Sequence, residues 1–118
     1  MNLNLNDKKV LITGASRGIG LAIAESFLEE GAKTCLVSRG SKELFLAEKK
    51  FQDHYGLEKS FAVKCDCTNA NSVDQLKEII EYKWKYLDVV VVNVGNGQSV
   101  QDVLPNNEQW KMTWNINF

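Results

Sequence analysis

The sequence has almost no net charge and no long run of apolar residues. Its 118 residues contain 14 basic and 15 acidic side chains, which gives a formal net charge of −1. Proteins that bind nucleic acids or membrane surfaces normally need a basic field, so we expect neither kind of partner. No apolar run approaches the length that spans a bilayer, and the first residues, MNLNLNDKK, lack the pattern of a signal peptide. We therefore expect a cytoplasmic protein.

Cysteine and histidine are also scarce. His54 is the only histidine, and the three cysteines are Cys35, Cys65 and Cys67. An odd number of cysteines without framework spacing predicts reduced thiols rather than disulfides. Cys65 and Cys67 flank Asp66, but a metal site there would need two further ligands. We expect no metal.

Short apolar runs rich in β-branched residues alternate with segments of helical periodicity. The first helix is predicted to end at Gly31, the second to follow a Ser41 cap and stop at Gly56, and the third to follow the cap-rich TNANS. Nearly continuous apolar strands between amphipathic helices predict a parallel sheet covered on both faces, an α/β fold. The predicted strands are residues 8–13, 33–38, 59–65 and 87–93.

The stretch TGASRGIG (13–20) places three glycines where the first strand becomes the first helix. Unpaired N–H groups and the positive end of the helix dipole favour an anion at such a position. Gly14 permits the sharp exit from the strand, Gly18 lets backbone approach a pyrophosphate, and Gly20 lets the helix pack closely. The spacing is neither Gly-x-Gly-x-x-Gly nor a Walker loop, so the strand-turn-helix context carries the prediction of a nucleotide site. A merely structural turn is the alternative.

The end of the second strand bears on the choice of nucleotide. An acidic residue there would hold the ribose 2′-hydroxyl of NAD, but the sequence has Ser38 and Arg39 instead. Arg39, together with Arg17 in the glycine turn, can clamp a 2′-phosphate. This pattern predicts NADP(H) over NAD(H). The alternative is two solvated surface arginines.

Taken together, these residues resemble the amino-terminal half of a classical short-chain dehydrogenase/reductase (SDR). TGASRGIG resembles the dinucleotide motif of that family, and CDCT (65–68) matches its Asp after the third strand. VNVG (92–95) stands where the family usually has Asn-Asn-Ala-Gly, with Asn93 and Gly95 matching and both valines departing from the pattern. The resemblance implies a Rossmann-like doubly wound parallel sheet, ordered 3-2-1-4, with helices on both faces. Residues 1–118 would form a single dinucleotide-binding domain.

The resemblance also implies which residues contact the cofactor. Asp66 would bond the adenine amino group and Cys67 would line the adenine pocket. The complete set of expected cofactor-binding residues is Gly14, Ser16, Arg17, Gly18, Ile19, Gly20, Ser38, Arg39, Asp66, Cys67, Asn93 and Gly95.

One catalytic residue is implied within this sequence. The family commonly has a Trp seven residues before the asparagine of its catalytic helix, and Trp110 precedes Asn117 by seven residues. Asn115 competes, but NINF resembles the family's Asp-Val-Asn-Leu best with Asn117 in the active place, where it would hold a water in a proton relay. A capping asparagine is the alternative. The segment NNEQWKMTWNINF also predicts the start of a fourth helix.

The family's serine and its Tyr-x-x-x-Lys pair would lie beyond Phe118. The one literal match, YGLEK from Tyr55 to Lys59, cannot be that pair, because Gly56 ends the helix between them. The resemblance therefore implies the cofactor half of an oxidoreductase that transfers hydride between nicotinamide and a small-molecule carbonyl or alcohol. We expect this chain alone to be inactive and the parent to be a homo-oligomer. A non-catalytic nucleotide-binding or regulatory module is the alternative.

Overall fold

The computed structural model describes residues 5–93. The predicted fourth helix lies outside these residues. Among the residues described, no helix is both long and apolar enough to cross a lipid bilayer. The elements, in chain order, are β1 (Lys9–Thr13), α1 (Gly18–Glu29), β2 (Lys33–Ser38), α2 (Lys42–Tyr55), β3 (Ser60–Lys64), α3 (Ala70–Lys83) and β4 (Val89–Val91).

The four strands form one parallel sheet in the order β3-β2-β1-β4, which confirms the predicted fold class and strand order. Leu11 on the central β1 pairs with Cys35 of β2 on one side and Val90 of β4 on the other. Because all strands run the same way, their carboxyl ends meet at one edge of the sheet. We call the edge at Thr13, Ser38, Lys64 and Val91 the carboxyl rim. The opposite edge, at Lys9, Lys33, Ser60 and Val89, is the amino rim.

Alternate residues of the strands are buried on opposite faces of the sheet, because successive strand side chains point to opposite sides. One face packs against α1 and α2, and the other packs against α3. Strands buried on both faces need apolar residues at consecutive positions, which explains the continuous apolar runs in the sequence. The first core contains Val10, Ile12, Leu36, Ala24, Leu28, Leu44 and Phe51. The second contains Leu11, Cys35, Val37, Leu76, Ile80, Trp84 and Leu87.

The helix starts show one correct and one wrong capping prediction. The Asn69 side chain, within TNANS, accepts a hydrogen bond of 3.0 Å from Ser72 N at the start of α3. Ser41 precedes α2 as predicted, but its side chain makes no capping hydrogen bond. The backbone explains the difference, since a capping residue is normally extended. Asn69 is extended, with φ −110° and ψ 119°, whereas Ser41 is already helical, with φ −113° and ψ −45°.

Strand β4 is shorter than the predicted 87–93 because side chains replace part of its backbone pairing. At the amino rim, Lys9 N donates to Asp88 Oδ2 at 2.8 Å, while Asp88 N donates to Lys9 O at 2.8 Å. At the carboxyl rim, the Thr13 hydroxyl accepts from Asn93 N at 2.8 Å and donates to Asn93 O at 3.2 Å. The chain therefore stays attached to β1 beyond both ends of the three-residue strand.

Candidate functional site

The glycine turn between β1 and α1 adopts the backbone conformation that glycine favours. Gly14 has φ +61° and Gly18 has φ +64°, in the left-handed region where a side chain is strained. Ala15 N donates to Val37 O at 3.1 Å, which ties the turn to β2. A Cβ on Gly18 would meet nothing within 4 Å. The backbone at the start of α1 is therefore accessible to a ligand.

Gly20 is required by space rather than by its backbone angles. A Cβ there would overlap the carbonyl oxygen of Gly14 and lie 2.8 Å from Asn93 Nδ2. The first turn of α1 thus lies directly against the backbone that leaves β1. This close approach is the packing role predicted for Gly20.

The start of α1 carries positive charge only. Arg17 occupies the N-cap position with an extended backbone, φ −165° and ψ 172°, and it provides no side-chain cap. Within the described residues, the first turn of α1 contains no acidic side chain that would complement the helix dipole. The N–H groups of that turn and the guanidinium of Arg17 therefore favour the same partner, an anion.

The end of β2 is linked to the glycine turn through two serines. The Ser38 hydroxyl donates to Ser16 Oγ at 3.3 Å and accepts from Gly40 N at 3.2 Å. Arg39, between them in sequence, is exposed. Arg17 Nε lies 4.0 Å from Glu43 Oε2 in the first turn of α2, and both side chains are largely exposed. The two guanidinium groups are thus available to a ligand at this rim.

Asp66 lies at the same rim, after β3. Its Oδ1 accepts hydrogen bonds from Thr68 N at 3.0 Å and from the Thr68 hydroxyl at 2.6 Å. These bonds, aided by the positive charge of Arg39, lower the pKa of the Asp66 carboxyl. Ser72 Oγ accepts from Asp66 N at 3.1 Å and fixes the backbone. A carboxyl group that stays ionised in the folded protein is a suitable hydrogen-bond acceptor for an amino group.

Sequence reasoning missed the residues that hold this site in place. Thr68 follows Asp66 by two positions, a spacing typical of an Asx turn, so this contact had a local signal. Thr13 had no local signal, because its partner Asn93 is 80 residues away. Asn93 Nδ2 in turn donates to Gly14 O at 3.4 Å. Asn93 thus contacts the glycine turn from the segment that follows β4.

The structure brings most of the expected site residues to the carboxyl rim. The Ile19 side chain is 73% exposed there, and Cys67 is half-buried. Gly95 and Asn117 lie outside the described residues. The residues that the rim brings together are Gly14, Ser16, Arg17, Gly18, Ile19, Gly20, Ser38, Arg39, Asp66, Cys67 and Asn93.

The Tyr55 and Lys59 of YGLEK lie at the amino rim and do not form a catalytic pair. Helix α2 ends at Tyr55, and Gly56 follows with φ +120°. The Lys59 ammonium donates to Asp7 Oδ1 at 3.0 Å and to Gly31 O at 3.1 Å. Burial raises the pKa of the Tyr55 phenol, which is opposite to the direction that acid–base catalysis near neutral pH requires.

The three cysteines are free thiols, with Cys35 and Cys65 buried and Cys67 half-buried. Within residues 5–93 no group of three or more His, Cys, Asp or Glu side chains is arranged to hold a metal ion. A groove of ≈ 740 Å³ runs along the outer edge of β3, lined by residues of α2, β3 and α3. It lies away from the glycine turn.

A parallel α/β sheet with a glycine turn and helix N-termini at its carboxyl rim defines the class of Rossmann-like nucleotide-binding domains. The family model described as short chain dehydrogenase matches residues 8–118. The chain therefore belongs to the short chain dehydrogenase family, as the sequence resemblance predicted.

Three similar proteins illustrate the family. A probable NADP-dependent mannitol dehydrogenase from Yarrowia lipolytica is 34% identical over 91% of this chain and 38% of its own length. The 15-hydroxyprostaglandin dehydrogenase [NAD(+)] of Bos taurus is 28% identical over 98% of this chain and 41% of its own length. The crystal structure of L-sorbose reductase from Gluconobacter frateurii, complexed with NADPH and L-sorbose, is 32% identical. It has a TM-score of 0.77 and matches 97% of this chain and 43% of its own. The chain thus spans about two fifths of the length of each of these three proteins.

Proposed function

We propose that this chain is the NADP(H)-binding portion of an oxidoreductase that interconverts a small-molecule carbonyl and the corresponding alcohol. The observation that carries the proposal is the position of the only two arginines in the sequence. Arg17 stands at the N-cap of α1, and Arg39 lies three residues before α2 begins. Both residues thus come at or just before the start of a helix, at the rim where parallel sheets bind ligands.

These positions are unfavourable for the folded chain by itself. A cation near a helix N-terminus opposes the dipole and costs about 0.3–1 kcal/mol, whereas an anion there is stabilising. A nucleotide with a pyrophosphate and a 2′-phosphate supplies anionic groups to both arginines. The charge pattern therefore fits NADP(H) better than it fits an unliganded surface.

The residues fit the separate parts of the nucleotide. The N–H groups at Gly18 to Gly20 would hold the pyrophosphate, since the backbone at Gly18 is open and has a positive φ. Arg17 and Arg39 would hold the 2′-phosphate. Asp66 would accept from the adenine amino group, and Cys67 would form part of the adenine pocket.

The cofactor preference rests on residues of this chain rather than on its relatives. The sorbose reductase structure contains NADPH and the mannitol dehydrogenase is described as NADP-dependent, but the prostaglandin dehydrogenase is described as using NAD(+). In this chain no acidic residue occurs at the end of β2, where it would hold the ribose diol, and Arg39 stands there instead.

The bound nicotinamide would donate or accept the hydride. Within this chain, Asn117 would hold a water in the proton relay, while the other expected cofactor contact, Gly95, would act through its backbone. We propose that residues 1–118 form one dinucleotide-binding domain, which binds the nucleotide without turnover. The serine, tyrosine and lysine of the family would lie elsewhere in a cytoplasmic, homo-oligomeric parent. Membership in a dehydrogenase family favours this interpretation over a non-catalytic regulatory module.

Titration of the 118-residue chain with NADPH and with NADH, followed by nicotinamide fluorescence, tests the proposal. We expect saturable binding of both, with NADPH the tighter ligand. Arg39→Ala should weaken NADPH binding by about tenfold or more and leave NADH binding nearly unchanged, because hydrogen bonds to charged groups contribute about 1.5–3 kcal/mol.

Lys49→Ala is the matched control, because it removes one exposed positive charge from α2 away from the carboxyl rim. It should leave both affinities unchanged. Equal affinities for NADPH and NADH in the unaltered chain would refute the NADP assignment. The absence of saturable binding for either nucleotide would refute the site itself.

A further inference from the structure

Strand β3 lies at one end of the sheet, and among residues 5–93 only β2 pairs with it. Lys59 O accepts a hydrogen bond of 2.8 Å from β2, and Cys65 N donates one of 2.9 Å to β2. Because alternate residues of a strand direct their backbone groups to the same neighbour, Ser60, Ala62 and Lys64 direct theirs away from β2. Such an edge is a template for pairing with another chain.

Two side chains of α2 bond to this outer edge. Glu48 Oε2 accepts from Ala62 N at 2.7 Å, and Gln52 Nε2 donates to Ser60 O at 2.8 Å. The two side chains are four positions apart and therefore share one face of the helix. Both are half-buried. An acceptor thus meets a backbone donor, and a donor meets a backbone acceptor, as the backbone of a neighbouring strand would provide.

The residues of the edge would fit the same edge of a second copy. In an antiparallel pairing about a two-fold axis at Ala62, this residue faces its counterpart and Ser60 faces Lys64, in hydrogen-bonded pairs. No two lysines then face each other. Phe61 faces Val63, and an aromatic residue opposite a β-branched one is a favourable cross-strand pair. Ala62 N and Ser60 O, the groups that α2 now occupies, are both needed for this pairing.

The surroundings of the edge favour association as well. The groove of ≈ 740 Å³ along β3 is lined in part by Phe61, Val63, Ile79 and Tyr82. Tyr82 is 89% exposed. Pairing with a second copy would cover part of this apolar surface. The backbone groups of the edge must therefore be occupied if the chain is not to pair there.

We propose that Glu48 and Gln52 keep the outer edge of β3 closed to pairing with a second copy of this chain. A second copy must displace both side chains, and it then gains only hydrogen bonds that the edge already makes at Ala62 N and Ser60 O. The net gain from those two groups is therefore small. The homo-oligomer proposed for the parent would assemble through a different surface. The inference does not rest on the nucleotide site.

The double variant Glu48→Ala/Gln52→Ala of the 118-residue chain tests the proposal. Alanine is a good helix former, so α2 should be retained, which far-UV circular dichroism checks. Sedimentation velocity at several protein concentrations measures self-association. We expect the association constant to rise by about tenfold or more, because two hydrogen bonds no longer compete with the second copy.

Gln75→Ala/Glu78→Ala is the matched control. It removes one amide and one carboxylate from α3, in the same groove, but neither side chain bonds to β3 in the part of the chain that the structure describes. Its self-association should equal that of the unaltered chain. Glu48→Gln should also behave as the unaltered chain, because its amide oxygen still accepts from Ala62 N.

Hydrogen exchange followed by NMR identifies the surface. In Glu48→Ala at low concentration the Ala62 N–H loses its acceptor, so we expect it to exchange about tenfold faster than in the unaltered chain. When the double variant associates, the amides of Ala62 and Lys64 should become protected, because the pairing described above bonds both of them.

Equal self-association of the double variant and the Gln75→Ala/Glu78→Ala control would overturn the proposal. Association without protection of Ala62 and Lys64 would overturn it equally, since the contact would then lie on another surface. An unchanged exchange rate of Ala62 in Glu48→Ala would refute the closing hydrogen bond, and this measurement requires no association. None of these results involves nucleotide, so they remain decisive even if the chain binds no NADPH.

Discussion

The two rims of the sheet place positive charges against helix ends of opposite sign. At the amino rim, Lys59 Nζ donates to Gly31 O, just beyond α1, at 3.1 Å. Lys9 Nζ donates to Trp84 O, at the end of α3, also at 3.1 Å. Cations at helix C-termini satisfy orphan carbonyl groups and complement the dipole.

At the carboxyl rim, Arg17 and Arg39 lie beside helix N-termini, where the dipole repels them. Both arginines are exposed. The lysines of the amino rim are bonded directly to carbonyl groups at helix C-termini, whereas the arginines of the carboxyl rim precede helix N-termini and, among the described residues, have only the exposed Glu43 carboxylate and the Asp66 carboxylate near them. Local violations of a folding rule concentrate at functional sites, and here the violation falls on one edge of the sheet.

The largest effect should come from filling the space between the glycine turn and α1. Gly20→Ala places a Cβ against the backbone of Gly14 and against Asn93 Nδ2. Because backbone cannot move aside cheaply, we expect the free energy of unfolding to fall by about 2 kcal/mol. NADPH affinity should fall by more than tenfold, since the first turn of α1 shifts. Urea denaturation and fluorescence titration measure the two effects.

Gly40→Ala is the control at the same rim. A Cβ on Gly40 would have Ser38 Oγ as its nearest neighbour, at 3.9 Å, which is an ordinary contact. Stability should therefore change by less than about 0.5 kcal/mol. If Gly20→Ala were as stable as Gly40→Ala and bound NADPH as tightly, the close approach of α1 to Gly14 would have no functional role.

A smaller effect on stability should distinguish the lysine at the amino rim from the arginine at the carboxyl rim. Lys59→Ala removes bonds to Asp7 and to Gly31 O, so we expect the free energy of unfolding to fall by about 1 kcal/mol, a modest value because Asp7 is largely exposed. Arg39→Ala, measured without nucleotide, should not destabilise the chain. Urea denaturation at low salt measures the free energy of unfolding of both variants. Equal destabilisation by the two substitutions would show that the rims do not differ as described.

The smallest effect concerns two carboxyl groups, one at each rim. A hydrogen bond and the charge of Lys59 lower the pKa of Asp7 below its ordinary value of 3.8. Hydrogen bonds from Thr68 lower the pKa of Asp66 below the same value. Since folding lowers both pKa values, each group stabilises the folded state above pH 3.8, and this contribution is lost as the pH falls through the folded-state pKa.

Salt should distinguish these two causes. In 1 M NaCl, where the Debye length is about 3 Å, the pKa of Asp7 should return toward 3.8 more than that of Asp66. Carboxyl NMR titration measures both values in the same sample. Lys59→Ala should raise only the pKa of Asp7, and Thr68→Val should raise only that of Asp66. An equal response of both groups to salt would contradict the assignment of the Asp66 pKa to neutral hydrogen-bond donors.

Local sequence patterns were sufficient to predict much of the fold. Helical and strand periodicity, the β-branched runs and the stops at Gly31 and Gly56 depend on neighbouring residues, and the order of elements followed from them. The capping prediction at Ser41 failed because it depended on a particular backbone angle. Ser41 is of a residue type that commonly caps helices, but its backbone is already helical and its side chain makes no capping hydrogen bond with α2.

The sequence by itself determined that the chain forms a parallel α/β sheet with a glycine turn after its first strand, because alternating buried strands and amphipathic helices have few other solutions. Only the tertiary structure decided which distant residues meet at the two rims of the sheet. It pairs Thr13 with Asn93 across 80 residues of sequence, sets Arg17 near Glu43, and directs Lys59 to the end of α1. Such contacts depend on the register of neighbouring strands and the direction of each helix, which no local pattern encodes.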